Sequence, residues 1–140
     1  MKRVVVDASV AVKWFVPETH SEAAARLLEP RLFLSAPDLI GPEFVNTLWK
    51  KVWRRELAAA EAAEIVRAFP AAGIEIHPSG ELLSAALELA GVLDRTVYDC
   101  LYLALAVAQN ATLVTADAKF HATVTRSPFA DAIRWIEDEP

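Results

Sequence analysis

The chain has 140 residues, of which 54% are hydrophobic, 9% aromatic and 24% charged. This length and balance predict one globular domain over residues 1–140 and exclude a disordered chain, a coiled coil and a low-complexity tract. The formal net charge of -5 argues against a polyanionic partner, but that argument weakens if several acids surround a cation that neutralises them locally.

The N-terminal stretch MKRVVVDASVAVKWFV predicts a buried strand from Arg3 to Val6 that ends at Asp7. Ser9 is a suitable N-cap for the helix that follows. Asp7 and Lys13 interrupt the apolar run, whereas a secretory signal needs about 7 to 15 continuous apolar residues and a membrane span about 20. We therefore expect a cytoplasmic protein without a membrane segment.

The middle of the chain alternates between predicted helices and strands. Helices are expected at 20–28, 42–55, 58–69 and 81–93, the last capped by Ser79, with strands at 32–34 and 74–77 between them. Glu43 falls in the first turn of the 42–55 helix, where a carboxylate interacts favourably with the helix dipole. The alternative role for Glu43 is that of a ligand in a site.

The segment from Thr96 to Gln109 predicts an apolar helix that is buried on all sides. Its one carboxylate, Asp99, fits a capping box in which Thr96 is the N-cap and Asp99 reaches back to it. Cys100 in this helix is the single cysteine, which excludes an intrachain disulfide and a thiolate metal cluster. A buried strand at 112–115 then leads to Asp117, followed by a helix at 118–124 and an edge strand at 133–136.

Alternating strands and helices predict an α/β fold with a mostly parallel central sheet covered by helices on both faces. Ligands of such sheets bind at the carboxyl ends of the strands, where Asp7 and Asp117 are expected. One acid alone is explained as a helix cap. Glu43 and Asp99 bring the number of acids to four, and four acids that converge predict a cation site. Ligands that are all oxygen favour Mg²⁺ or Mn²⁺ over zinc.

Two hydroxyl side chains accompany these acids, because Ser9 and Thr115 each lie two residues from one of them. A hydroxyl can hold a carboxylate or a metal-bound water in place. The simpler roles are a helix cap for Ser9 and a strand-forming residue for Thr115. The sequence supports both interpretations equally.

Basic residues offer two further candidates for substrate contacts. Lys13, Arg95 and Lys119 flank the acids, and we expect one of the three to meet phosphates. A basic stripe beside two tryptophans is predicted on the 42–55 helix: Lys50, Lys51, Arg54 and Arg55, with Trp49 and Trp53. Cations and aromatic rings of this kind bind single-stranded nucleic acid, but a solvated helix face with tryptophans in the core is the interpretation we favour for this stripe.

Four blocks in this order resemble the PIN-domain family, and more closely its VapC group, the ribonuclease toxins of type II toxin–antitoxin pairs: VVVDASVAVKWF, PEFVNTLW, YDCLYLALA and VTAD. The resemblance implies a three-layer α/β/α fold and an endoribonuclease that depends on Mg²⁺ or Mn²⁺. It also implies a homodimer neutralised by a small VapB-type antitoxin. By position it assigns Asp7 and Asp99 as central metal ligands, Glu43 as a third acid and Asp117 as a fourth acting through water, with Ser9 and Thr115 supporting them.

Two alternatives remain open at this stage. The first is a phosphotransfer or phosphatase domain in which Asp7 is the phosphoacceptor, although such domains commonly carry D-x-D or a lysine at a strand end, and this chain has Asp7-Ala8-Ser9. The second is a binding module without catalysis, whose acidic pocket takes a partner's arginine. An aspartyl-phosphate at Asp7 would favour the first alternative, and binding without a divalent metal would favour the second.

Overall fold

The computed structural model describes residues 2–139. Within them one sheet is formed by five strands: β1 (Lys2–Val6), β2 (Leu32–Pro37), β3 (Glu75–His77), β4 (Thr112–Thr115) and β5 (Ile133–Trp135). Their spatial order is β3-β2-β1-β4-β5, and each neighbouring pair is parallel. The predicted α/β class with a mostly parallel sheet is confirmed, and β5 is an edge strand as expected.

The helices of the described chain are α1 (Ala8–Ala11), α2 (Ser21–Ala25), α3 (Ile40–Trp53), α4 (Ala59–Ala68), α5 (Leu83–Leu93), α6 (Val97–Ala108) and α7 (Ala118–Thr125). Because crossovers between parallel strands are right-handed, the helices between β1 and β3 cover one face of the sheet and the later ones cover the other. Helix α6 packs on β1, β2 and β4, and α5 packs outside α6. The architecture is the expected three-layer α/β/α fold. Across residues 2–139, every helix is too short or too polar to cross a membrane.

Strand β1 lies at the centre of the core. Val4, Val5 and Val6 are completely buried, as expected for a β-branched run in a parallel sheet that is covered on both faces. The next residue, Asp7, therefore emerges at the carboxyl end of the central strand. Here the chain leaves β1 toward β2 on one side and leaves β4 toward β5 on the other side. This point of reversal is where ligands bind in open α/β sheets.

Two predicted caps are wrong. Asp7, not Ser9, is the N-cap of α1, because its side chain accepts a hydrogen bond from the backbone N–H of Val10. Helix α1 has only four residues, and the chain continues as a 3₁₀ turn over Val12–Trp14. Ser79 does not cap α5, because its hydroxyl and backbone N–H both donate to Asp38 and the chain forms a 3₁₀ turn before α5 begins.

Helix α6 is buried over most of its length but not on all sides, so that part of the prediction is wrong. The residues from Cys100 to Ala106 are buried, whereas Tyr98 is 61% exposed and Val107 47% exposed. Burial raises the pKa of the Cys100 thiol to about 11, with the nearby Asp99 charge adding to the shift. This thiol is therefore a protonated core group rather than a nucleophile.

Helix α3 is anchored to the core by three aromatic rings. Phe44 stacks on Phe69 with ring centroids 4.1 Å apart, and Phe15 meets Phe44 edge-on at 5.6 Å. Phe44 is fully buried, and the residue before it is Glu43. The packing of one side chain therefore fixes the position of the next one in the sequence.

Candidate active site

The four predicted acids lie together. Asp7, Glu43, Asp99 and Asp117 line one cleft of about 270 Å³ at the carboxyl ends of β1 and β4, and Ser9 lines it with them. Thr115 does not line the cleft, but it is fully buried and bonded to Asp7 below it. All six residues expected from the sequence are thus brought to one place.

Asp7 is the most deeply buried of the acids, with 9% of its surface exposed. One carboxylate oxygen accepts hydrogen bonds from the hydroxyl of Ser9 (2.5 Å) and from the N–H of Val10 (3.1 Å), and the other accepts from the hydroxyl of Thr115 (2.7 Å). Burial raises the pKa of Asp7 from its usual 3.8 to about 6, these bonds oppose the shift, and the charge of Asp117 adds to it. Asp7 is therefore a carboxylate that a cation would stabilise strongly.

The two hydroxyl groups connect Asp7 to the segment that carries Asp117. Thr115 donates to Asp7 and accepts from the backbone N–H of Asp117 (3.1 Å), and Ser9 accepts from the N–H of Ala116 (3.4 Å). Asp117 in turn is the N-cap of α7, where it accepts from the N–H of Phe120 (3.0 Å). These bonds fix the ends of β1 and β4 relative to each other.

Glu43 is held by a tyrosine that the sequence analysis missed. The hydroxyl of Tyr102 donates to Glu43 at 2.6 Å, and burial raises the pKa of Tyr102, with Glu43 adding to the shift, so the phenol stays neutral. Burial also raises the pKa of Glu43, a shift that the Tyr102 bond opposes and the charge of Asp99 reinforces. The sequence signal was the spacing of Tyr102 three residues after Asp99, which places both on one face of α6.

Asp99 and Asp117 both form ion pairs with the side chain of Arg95. Arg95 places one guanidinium nitrogen 2.9 Å from Asp99 and 3.3 Å from Asp117, and its guanidinium lies over the ring of Phe120 at 5.0 Å. The predicted capping box is only half formed, because the N–H of Asp99 donates to Thr96 while its carboxylate turns to Arg95. Among residues 2–139, the buried Nε of Arg95 has no hydrogen-bond partner.

The acidic donor set fits a hard divalent cation, because the four acidic side chains among those that line the cleft offer only carboxylate oxygens. As they stand, no three acidic, histidine or cysteine side chains within residues 2–139 are arranged to hold a metal ion. Arg95 binds Asp99 and Asp117, and three protein donors bind Asp7. Arg95 thus occupies one carboxylate oxygen of Asp99 and one of Asp117.

The remaining candidates lie elsewhere or play other parts. Lys13 is paired with Glu18 at 3.3 Å, so it is not free to meet a phosphate. Neither Asp38 nor Asp94 lines the cleft, since Asp38 binds Ser79 and Asp94 ends α5 in the left-handed conformation with φ 53°.

Three polar residues of α3 that the sequence analysis did not assign to the site do line the cleft: Asn46, Thr47 and Lys50.

The tryptophans of α3 correct another expectation. Trp49 is 58% exposed and Trp53 71% exposed, so neither is a core residue. The core side of α3 is formed instead by Ile40, Phe44 and Leu48. Trp49 lies one residue before Lys50, which lines the cleft, and Trp53 lies three residues after it.

Comparisons with known proteins agree with this geometry. The family model described as PIN domain matches residues 4–125. Over 131 residues the chain is 37% identical to Ribonuclease VapC3 of Pyrobaculum aerophilum, covering 88% of this chain and 98% of that protein. Two solved structures share the fold: PAE2754 of Pyrobaculum aerophilum, with 22% identity, TM-score 0.71 and 97% and 92% of the two chains covered, and a toxin–antitoxin complex from Klebsiella pneumoniae, with 13% identity, TM-score 0.67 and 97% and 99% covered.

The family match spans the sheet from β1 to β4 together with α7. It therefore includes each of the four acids of the cleft. The match to VapC3 extends over nearly the whole of both proteins. The resemblance seen in the four sequence blocks is confirmed, and the chain belongs to the PIN domain family, among the VapC-type proteins.

Proposed function

We propose that this protein is an endoribonuclease that depends on Mg²⁺ or Mn²⁺ and acts in the cytoplasm as a VapC-type toxin. One observation carries the proposal, namely the convergence of Asp7, Glu43, Asp99 and Asp117 on a single cleft. The relative Ribonuclease VapC3 supports the ribonuclease activity. The raised pKa of Asp7 supports the cation, because desolvated acids close together favour a compensating charge.

In this proposal Asp7, Glu43 and Asp99 would hold the cation directly and Asp117 would hold it through water. The cation would supply charge stabilisation for the phosphate and a lower pKa for an attacking water. The other residues of the site position these ligands. Ser9 and Thr115 orient the two oxygens of Asp7, and the neutral phenol of Tyr102 orients Glu43. The polar residues of α3 that line the cleft are in place to contact the RNA backbone.

Two protein partners belong to the proposal. The first is a small VapB-type antitoxin, which the likeness to the toxin–antitoxin complex from Klebsiella pneumoniae supports. The second is another copy of the chain, since α5 and α6 expose apolar side chains suited to self-association: Leu83, Leu87, Val92 and Val107, exposed by 54%, 67%, 63% and 47%.

The test is RNA cleavage by the purified protein, freed of any antitoxin, with Mg²⁺ or Mn²⁺ and with EDTA. We expect cleavage only with the divalent metal. Asp99→Asn should abolish it while the circular dichroism spectrum stays unchanged, because the amide keeps the size of the side chain and loses its charge. Asp94→Asn is the matched control and should stay active, because Asp94 lies outside the cleft and asparagine tolerates its left-handed backbone.

Two outcomes would replace this proposal with one of its alternatives. Trapping an aspartyl-phosphate at Asp7 would identify a phosphotransfer domain. Tight binding of an arginine-bearing peptide in the cleft, with no cleavage of any RNA in either metal, would identify a module that binds without catalysis.

A further inference from the structure

One face of α3 continues outward from the acidic cleft. Asn46, Lys50 and Trp53 are spaced i, i+4 and i+7, so they lie along one stripe of the helix. Asn46 and Lys50 line the cleft, and Trp53 lies about 10 Å further along the axis than Asn46, at a rise of about 1.5 Å per residue. The stripe therefore starts at the acids and ends at the C-terminus of α3.

Two tryptophans, one on this stripe and one beside it, are unusually exposed. Trp53 has 71% of its surface in solvent and Trp49, one turn before it, has 58%. Large aromatic rings are normally buried, because each removes 150–250 Å² of apolar surface from water. Neither ring takes part in the aromatic cluster that anchors α3, which is formed by Phe15, Phe44 and Phe69.

The charges around these rings complement a polyanion. Within residues 2–139, Lys50, Arg54 and Arg55 have no carboxylate within 4 Å, although the chain carries more acids than bases. By contrast Lys51, on the inner side of the helix, is bound to Glu18 at 2.8 Å. Positive charge without an ion-pair partner in the described chain thus lies close to two exposed tryptophans, at Lys50 on α3 and at Arg54 and Arg55 just past its end.

We propose that this face, defined by Asn46, Trp49, Lys50, Trp53 and Arg54, binds the single-stranded RNA substrate as it leaves the cleft. Lys50 and Arg54 contact phosphates, and the two tryptophans stack on unpaired bases. This combination of cations and aromatic rings is how proteins hold single strands with little sequence preference. The inference rests on the proposed nuclease function and adds to it the path of the strand outside the acids.

The test measures binding separately from cleavage. A fluorescein-labelled single-stranded RNA of about 12 nucleotides is titrated with the full chain in EDTA, and fluorescence anisotropy and tryptophan emission are followed together. We expect the wild type to bind with quenching of tryptophan emission. Trp53→Leu should weaken binding at least about fivefold, whereas Trp53→Phe should retain most of it, because only phenylalanine keeps a π-face.

The charge contribution is tested by salt dependence. In single-stranded complexes each phosphate contact contributes about 0.7 to the slope of log affinity against log salt. The double variant Lys50→Gln, Arg54→Gln should therefore lower the slope by about 1.4. Arg126→Gln, which removes an exposed cation at the C-terminal end of α7, is the matched control and should leave the slope unchanged.

Several results would overturn the inference. One is a wild type that does not bind RNA in EDTA, and another is binding equal in the wild type and Trp53→Leu. A change in molar mass of Trp53→Leu by light scattering would show that the face contacts a second copy of the chain. The proposed nuclease function is judged separately: cleavage with Mn²⁺ that Trp53→Leu leaves intact refutes only the RNA face, and a wild type that binds RNA but never cleaves it refutes only the nuclease.

Discussion

Asp7 determines the electrostatics of the site at the scale of single residues. Its carboxylate is almost completely removed from water and shares the cleft with three other acids. Three hydrogen bonds compensate for part of the lost hydration, yet its pKa still rises to about 6. The fold thus stores unfavourable free energy at Asp7 that a bound cation would release.

This cost gives a pH-dependent prediction for the metal-free protein. Because the folded pKa of Asp7 lies above the unfolded one, the folded state holds an extra proton between about pH 4 and pH 6, and stability falls as pH rises through this range. Asp7→Asn removes the cost. We expect its free energy of unfolding in urea to exceed that of the wild type by up to about 3 kcal/mol at pH 7, and by little at pH 4.

Comparing the two proteins at each pH isolates Asp7, since all other titrating groups are common to both. Adding Mn²⁺ at pH 7 should stabilise the wild type more than Asp7→Asn. A stability difference that does not change between pH 4 and pH 7 would show that Asp7 is not desolvated as the structure describes.

Arg95 yields a second prediction at this scale. Its guanidinium lies between Asp99 and Asp117, so we expect it to compete with a divalent cation for these two carboxylates. Arg95→Gln should raise the affinity for Mn²⁺ by about tenfold, equivalent to about 1.4 kcal/mol, as measured by isothermal titration calorimetry. Arg95→Lys keeps the charge and should bind Mn²⁺ close to the wild-type value. Weaker Mn²⁺ binding in Arg95→Gln would contradict competition and show that Arg95 instead supports the ligands.

At the scale of secondary structure, two consecutive residues of α3 have different roles. Glu43 is one of the acids of the cleft, and Phe44 anchors the helix to the core. Phe44 is fully buried against Phe15 and Phe69, so Phe44→Ala should destabilise the protein by about 3–5 kcal/mol. Phe44→Leu keeps most of the volume and should cost clearly less. Urea denaturation measures both, and equal, small losses would mean that the ring cluster does not hold α3.

The sequence was sufficient to place the elements, because each acid is tied to a local signal. Asp7 and Asp117 follow short apolar strands, and Glu43 and Asp99 follow a proline and a threonine at helix starts. Parallel strands then bring their carboxyl ends to one edge without further information. Convergence of the acids was therefore predictable from chain order alone.

Contacts between distant side chains were not predictable in the same way. Tyr102 reaches Glu43 across 59 positions of sequence and Arg95 reaches Asp117 across 22, and no local pattern encodes either pair. The first cap was predicted wrongly because Asp7 and Ser9 both suit an N-cap; in the structure Asp7 caps the helix with one oxygen and accepts a bond from the distant Thr115 with the other. The exposure of Trp53 was likewise hidden, because an apolar residue type favours burial on average.

At the scale of the whole molecule, the net charge of -5 does not describe how charge is distributed over the surface. Negative charge is concentrated in the cleft, where Arg95 already offsets part of it. Among residues 2–139, positive charge without an ion-pair partner lies at Lys50, which lines the cleft, and at Arg54 and Arg55, just past the end of α3. In the proposed function, this acidic protein would bind a polyanion through a local field rather than through its net charge.

The apolar side chains that α5 and α6 expose lead to a prediction about assembly. We expect a homodimer by size-exclusion chromatography with light scattering, and a monomer for the double variant Leu87→Asp, Val92→Asp, because charges oppose burial at an interface. Ile76→Asp alters an exposed apolar residue on β3 and should remain dimeric. A wild type that is monomeric at micromolar concentration would contradict the prediction.

The central claim is that four separate segments of the chain form one cation site. Crystals grown with Mn²⁺ and measured at a wavelength where manganese scatters anomalously test it directly. The account predicts an anomalous peak in the cleft among the carboxylates of Asp7, Glu43, Asp99 and Asp117, with Arg95 moved away from at least one of its partners. A cleft without such a peak, with Arg95 still bound to both Asp99 and Asp117, would contradict it.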